Sequence, residues 1–252
     1  MLLAERQTLI LEQLNLEGRV YAAELAEYLS VSEDTVRRDL NKLGEMKLLR
    51  RVHGGALPLQ LDLPDYADRL EKKDINKQKL AEKALQFIKP DMTILLNSGE
   101  TCRYIATALS RNLSLTVVSA CPFIACELSR HDKVEVILLG GSFFKPALRC
   151  AGTLTANMIR RMRFDICFTG LCALHPKHGF SAKYLEEAEI MRVSIEQSDK
   201  TVVMGTHDRL GVVANHQVVA VSELDVLITD TQADPQVLKA LANKNLEIFQ
   251  VH

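Results

Sequence analysis

Two periodicities run through this chain, and they change over near residue 58. Residues 1–57 repeat their apolar positions at helical spacing. The opening MLLAERQTLILEQL carries Glu5, Arg6 and Glu12 among its apolar residues, so it reads as an amphipathic helix, whereas a secretion signal needs an uncharged core. A short helix over 22–28 leads through Leu29-Ser30-Val31 into a third helical segment, SVSEDTVRRDLNKL at 30–43. There Val36, Leu40 and Leu43 fall on one buried side, while Asp34, Arg38 and Asn41 lie opposite, flanked by Thr35 and Arg37. From about 75 onward short apolar runs alternate with amphipathic segments. Strands are predicted over 93–97, 115–119, 134–139, 166–169, 201–204 and 226–229. Helices are predicted over 76–88, 100–110, 123–129, 153–161, 184–197 and 235–243. Continuously apolar strands between helices point to a mostly parallel sheet covered on both faces.

These patterns divide the chain into a helical domain over 1–57, a linker over 58–74 with two prolines and mixed charge, and an α/β domain over 75–252. Composition is that of a globular protein, with 47% hydrophobic and 25% charged residues, and no apolar run approaches the ~20 residues of a membrane-spanning helix. Six cysteines contain no CxxC pair and sit mostly in apolar stretches. They are expected to be reduced thiols of a cytoplasmic protein, with no metal site and no cofactor.

A net charge of −1 does not advertise nucleic acid, but the distribution does. Residues 37–51 hold Arg37, Arg38, Lys42, Lys47, Arg50 and Arg51 against Asp39 and Glu45. Two short helices joined by a tight turn, the second with a polar outer face, make a helix-turn-helix. Ser32 is its expected N-cap, and Arg and Asn on the outer face suit guanine and adenine in the major groove. The following LLRRVHGG reads as a strand and a Gly-Gly turn, a wing lying along phosphates. The DNA-contacting set is therefore Ser32, Asp34, Thr35, Arg37, Arg38, Asn41, Arg50, Arg51 and His53. The alternative for Arg37, Arg38 and Asp39 is a solvated face with intrahelical pairs.

In the second half, small and polar residues follow the strands. They are Ser98-Gly99-Glu100-Thr101, Ser119, Gly140-Gly141, Gly170, and the stretch from Gly205 through His207 to Arg209. Ligands of open parallel sheets collect at these strand ends, and a Gly turn before a helix offers free N–H groups to an anion.

VSEDTVRRDLNKL followed by LLRRVHGGA closely resembles the signature of the DeoR family of bacterial transcriptional regulators, whose winged helix-turn-helix carries T-[IV]-R-R-D-L and R-x-H-G-G-A. The resemblance continues through Leu138-Leu139-Gly140-Gly141, Gly152, Phe164-Asp165-Ile166, Gly170, the 187–192 helix and His207-Asp208-Arg209-Leu210-Gly211. It implies a sensor domain similar in fold to ribose-5-phosphate isomerase and the CoA transferases, and control by a phosphorylated sugar or related acidic metabolite. It also implies a double-stranded DNA operator and a homo-oligomer, dimer or tetramer, because two-fold operators need at least two copies.

The implied effector-binding set is Asn97, Ser98, Gly99, Glu100, Thr101, Ser119, Gly140, Gly141, Gly170, Glu187, Arg192, His207 and Arg209. The family's D-x-G-[TS]-T reads Asn97-Ser98-Gly99-Glu100-Thr101 here, and its E-x-x-x-K-R reads Glu187-Ala188-Glu189-Ile190-Met191-Arg192. A Lys47 stands near the Gly that often precedes the wing. The departures leave either an unusual effector or a sensor that has lost its ligand. A competing reading is a sugar-phosphate isomerase or CoA-transferase-like enzyme with an accessory DNA-binding module, for which Glu100 and Glu187 are the candidate catalytic carboxylates. A further alternative uses the winged helix for protein contacts, as a scaffold.

Overall fold

The computed structural model describes every residue except Lys47, 59–65 and 67–72. Most of the expected linker, and the departure at Lys47, therefore lie outside the described residues.

The N-terminal part is built from α1 (Leu3–Glu17), β1 (Val20–Tyr21), α2 (Ala22–Leu29), α3 (Glu33–Glu45), β2 (Arg50–Val52) and β3 (Gly55–Leu57). Ile10, Leu14, Leu25, Leu29, Val36, Leu40, Leu43 and Leu49 close one small core. The turn between α2 and α3 is made by Ser30 in the left-handed region, with φ of 53°. The strands form an antiparallel sheet in the order β1-β3-β2. The Gly-Gly turn has a separate steric reason at each residue. Gly54 has φ of +77°, and a Cβ on Gly55 would lie 2.0 Å from the Val20 carbonyl oxygen.

The second part contains α4 (Ile75–Ala84), β4 (Thr93–Leu96), α5 (Glu100–Ala108), β5 (Leu115–Ser119), α6 (Pro122–Leu128), β6 (Val134–Leu138), β7 (Ser142–Phe144), β8 (Arg149–Ala151), α7 (Thr153–Arg160) and β9 (Ile166–Gly170). It continues through β10 (Ala173–His175), β11 (Gly179–Ala182), α8 (Leu185–Glu196), β12 (Thr201–Met204), β13 (His216–Val219), β14 (Val226–Asp230), α9 (Pro235–Ala242) and β15 (Glu247–Val251). Seven parallel strands make the main sheet, in the order β15-β14-β12-β9-β4-β5-β6.

Strand alternation explains the continuous apolar runs. Ile94 and Leu96 face one core with α4, α5 and α6, whereas Leu95 faces another with α7 and α8. Three cysteines fill core space as small apolar groups: Cys102 and Cys121 on the first face, Cys167 on the second. The six expected strands are all present. Pattern reading did not anticipate β15, the β7–β8 hairpin or the small β10-β11-β13 sheet, because these strands are short or partly exposed and lack a sustained apolar run.

The two parts touch where the end of α1 meets the β10–β11 hairpin. Lys177 pairs with Glu17, and the His178 ring nitrogen Nε2 lies 3.2 Å from the Glu17 carbonyl oxygen. Gly211, just beyond the pocket residue Arg209, packs close to Asn15 of the same helix.

Candidate functional site

The candidate DNA-contacting surface begins at the cap of α3. The Ser32 hydroxyl accepts the Thr35 backbone N–H at 3.3 Å, and Glu33 and Asp34 occupy the positive first turn. Ser32→Ala should lower the melting stability of the N-terminal domain by about 1 kcal/mol, read from chemical denaturation. A change within a few tenths would show that the cap contributes little here.

Val36, Asp39, Leu40 and Leu43 are buried, whereas Asp34, Arg37, Arg38 and Asn41 are exposed and Thr35 is half-buried. The side chains on this face differ in their engagements. Arg37 pairs with Glu33 one turn earlier, at 2.7 Å. Arg38 makes no ion pair among the described residues. Asn41 accepts from Arg51 Nε at 3.0 Å, and Arg51 also donates to the Gly55 carbonyl. Arg51 thus braces the wing against α3, while Arg50 and His53 stand exposed on the wing. Asp39, between the arginines and the apolar stripe, receives two hydrogen bonds from Arg6 of α1. Sequence reasoning missed that partner, which lies 33 residues away.

The second site follows from strand order. β4 is followed by β5 and β6 on one side, and β9 begins the run that moves to the other side, so the chain reverses direction between β4 and β9. A crevice opens at the carboxyl ends of strands flanking such a switch point. It has a cavity volume of about 100 Å³ and opens to solvent. Ser98, Gly99, Glu100 and Thr101 come from the end of β4 and the start of α5, Gly170 and Leu171 from β9, and Gly205, Thr206 and Arg209 from the segment after β12. Glu187 and Met191 enter from α8, Lys77 from α4, and Lys183 with Tyr184 from beyond β11. Lys183 also lies 5.0 Å over the Tyr184 ring.

Of the expected effector residues, Ser98, Gly99, Glu100, Thr101, Gly170, Glu187 and Arg209 line this crevice. The others stand elsewhere. Asn97 is buried and accepts from Arg149 at 2.8 Å. The Ser119 hydroxyl donates to the Leu96 carbonyl at 2.7 Å, tying neighbouring strand ends. Gly140 accepts from Thr155 through its carbonyl, and a Cβ on Gly141 would sit 2.0 Å from the Thr155 hydroxyl. Those two glycines serve the approach of α7. Arg192 donates to the Val218 and Gln217 carbonyls at 2.9 and 2.6 Å, fastening α8 to β13. The His207 ring and backbone both bond Asp230. Burial works against ionisation of that carboxylate, and the hydrogen bonds from His207 and from the Gln232 N–H together lower its pKa.

Sequence reasoning also missed Lys77, Lys183, Tyr184 and the fully buried Arg149, which donates to Asn97 and, at 3.2 Å, to Ser98. Burial depresses the Arg149 pKa and the charge of Glu187 opposes that shift. Arg149 stiffens the loop that opens the pocket. Only the KPALR segment's basic residues hinted at it, with no periodicity to orient them.

Comparison with known proteins covers both parts of the chain. Residues 6–60 match the family model for the DeoR-like helix-turn-helix domain, and residues 72–231 match that for the DeoR C-terminal sensor domain. The chain is 30% identical over 253 residues to the HTH-type transcriptional regulator YulB of Bacillus subtilis, covering 100% of this chain and 98% of the relative. It is 28% identical over 246 residues to the regulator GolR of Listeria innocua, covering 97% of each. It is 27% identical over 245 residues to the glycerol-3-phosphate regulon repressor of Escherichia coli, again covering 97% of each.

A solved ribose 5-phosphate isomerase from Methanocaldococcus jannaschii superposes with a TM-score of 0.39 and 14% identity over 54% of this chain and 53% of the isomerase. That level of likeness carries no functional information. The named relatives are transcriptional regulators, which sets aside the isomerase or transferase reading. With a DNA-reading helix at one end, a switch-point pocket in the sheet and family matches over both, the chain belongs to the DeoR family of DNA-binding transcriptional regulators.

Proposed function

We propose that the protein is a cytoplasmic repressor of a carbohydrate-metabolism operon, released from its operator when a small acidic, sugar-like metabolite occupies the crevice. The N-terminal 57 residues read DNA, and the segment from 75 onward binds the effector and holds at least two copies together. In the DNA complex α3 enters the major groove with Arg38 and Asn41 toward base edges, and Arg50 and His53 of the wing approach phosphates.

The observation that carries this reading is the junction at α1. The helix that packs on α3 through Arg6 and Asp39 also rests on the β10–β11 hairpin and beside Gly211. Gly211 follows directly on the turn that brings Arg209 into the pocket. A ligand that binds one arrangement of that turn better biases where the winged helices sit.

A gel-shift titration against DNA upstream of the protein's own and neighbouring genes tests the proposal, with and without a panel of sugar phosphates and sugar acids. Specific binding that one metabolite weakens, and that Arg37→Ala/Arg38→Ala abolishes, is the expected result. Binding with no preference for any upstream region would overturn it.

A further inference from the structure

We propose that the crevice accepts a sugar-like ligand with a single anionic end, and that Glu100 and Lys77 bar a second anion from the end at the start of α5. This rests on the reading of the crevice as the effector site. The first turn of a helix of this length ordinarily attracts an incoming anion, because its N–H groups are free and its dipole is positive there. In this chain that place is already taken. Glu100 is the first residue of α5, is only 9% exposed and lines the crevice. Its carboxylate is bonded by the Lys77 ammonium, which also reaches Asp74 at 3.1 Å.

The lysine at this end is thus shared between two carboxylates. A phosphate arriving here would meet a desolvated like charge, with Lys77 already committed to two carboxylates. A neutral, hydroxyl-bearing end meets the opposite situation, since an ionised carboxylate accepts hydrogen bonds from hydroxyls.

A cation that suits an anion stands at the other end. Arg209 follows β12, which lies two strands from β4, so the ends of the crevice are about 10 Å apart. Lys183 lines the same crevice. One of the partners of Arg209 is the exposed Asp208 at 3.1 Å, with which a carboxylate or phosphate on a ligand can compete for the guanidinium. The two ends of the crevice therefore differ, with the Glu100–Lys77 pair at the start of α5 and Arg209 beyond β12.

Calorimetric titration at fixed ionic strength with fructose 6-phosphate, gluconate and fructose 1,6-bisphosphate tests this on the full-length protein. The first two distinguish a phosphate from a carboxylate as the single anion. The wild type should bind at least one of them, and the bisphosphate roughly tenfold or more weakly. Glu100→Gln, which leaves Lys77 available to a ligand, should tighten the bisphosphate by roughly tenfold or more, the worth of one charge-assisted hydrogen bond. The single-anion ligand should change little.

If Glu100→Gln melts too early to titrate, Glu100→Thr, with a hydroxyl in the first turn, takes its place and the same gain is expected. The proposal is overturned if the wild type takes the bisphosphate as tightly as the monoanions, if neither variant gains, or if no probe binds wild type or variant. Operator binding by the same preparations without ligand tests the regulator reading separately, so the two failures are distinguishable.

Discussion

Asp39→Ala should destabilise the N-terminal domain by about 2–3 kcal/mol, below the full cost of breaking a buried ion pair because Arg6 is only partly buried. Asp39 is buried and Arg6 partly buried, with side-chain exposures of 5% and 13%. Alanine leaves the Arg6 guanidinium partly buried on α1 with two donors unanswered. The double variant Arg6→Met/Asp39→Leu should recover most of the loss, because replacing both charges by apolar groups removes the desolvation penalty as well as the attraction. Urea denaturation followed by a probe in the N-terminal domain separates the cases. A loss below about 1 kcal/mol for the single variant would show that the pair is solvent-screened. The consequence for function is indirect. The aspartate of the R-R-D run is turned inward to Arg6 of α1, so its variant should lose operator binding only as far as the domain unfolds.

Arg38→Ala should weaken binding to the operator by about 1–3 kcal/mol while affecting unrelated DNA much less. Arg38 stands on the exposed face opposite Val36, Leu40 and Leu43. Its guanidinium is free of ion pairs among the described residues, so it can form a bidentate bond to a base edge without first breaking another. Arg37 differs, since it must give up Glu33 at 2.7 Å before it can contact DNA. Arg37→Ala should therefore cost less at the operator than Arg38→Ala. Gel shifts on matched specific and random duplexes measure both. An equal loss from Arg38→Ala on the two duplexes would place it on phosphate and move base reading to another residue.

Much of this was legible before any coordinates. The buried stripe and exposed face of α3 follow from spacing alone, because a helix turns 100° per residue whatever surrounds it. Six strands of the main sheet were readable, because strands covered on both faces must be apolar throughout. The Gly-Gly turn of the wing, Ser32 as cap and the small residues after β4 and β9 were equally local. Other residues were misplaced or missed because their roles depend on neighbours distant in the chain. The resemblance implied Arg192 as a pocket residue, but five positions from Glu187 carry it about 140° around α8, where the β13 carbonyls take its guanidinium. Gly140 and Gly141 follow a strand, but α7 closes over them.

The sequence by itself determined the local periodicities, the turns and the chemistry of the DNA-facing helix, since each depends on residues within a few positions of one another. Only the tertiary structure decided which strand ends share a crevice. It set β9 beside β4, and so brought Lys77, Glu100, Lys183 and Arg209 from four separate segments around one space. It also turned Asp39 inward to Arg6 and gave Arg149 its place behind the pocket loop. Those outcomes depend on the order in which strands pair and on where buried charges find partners, and no repeat along the chain records either.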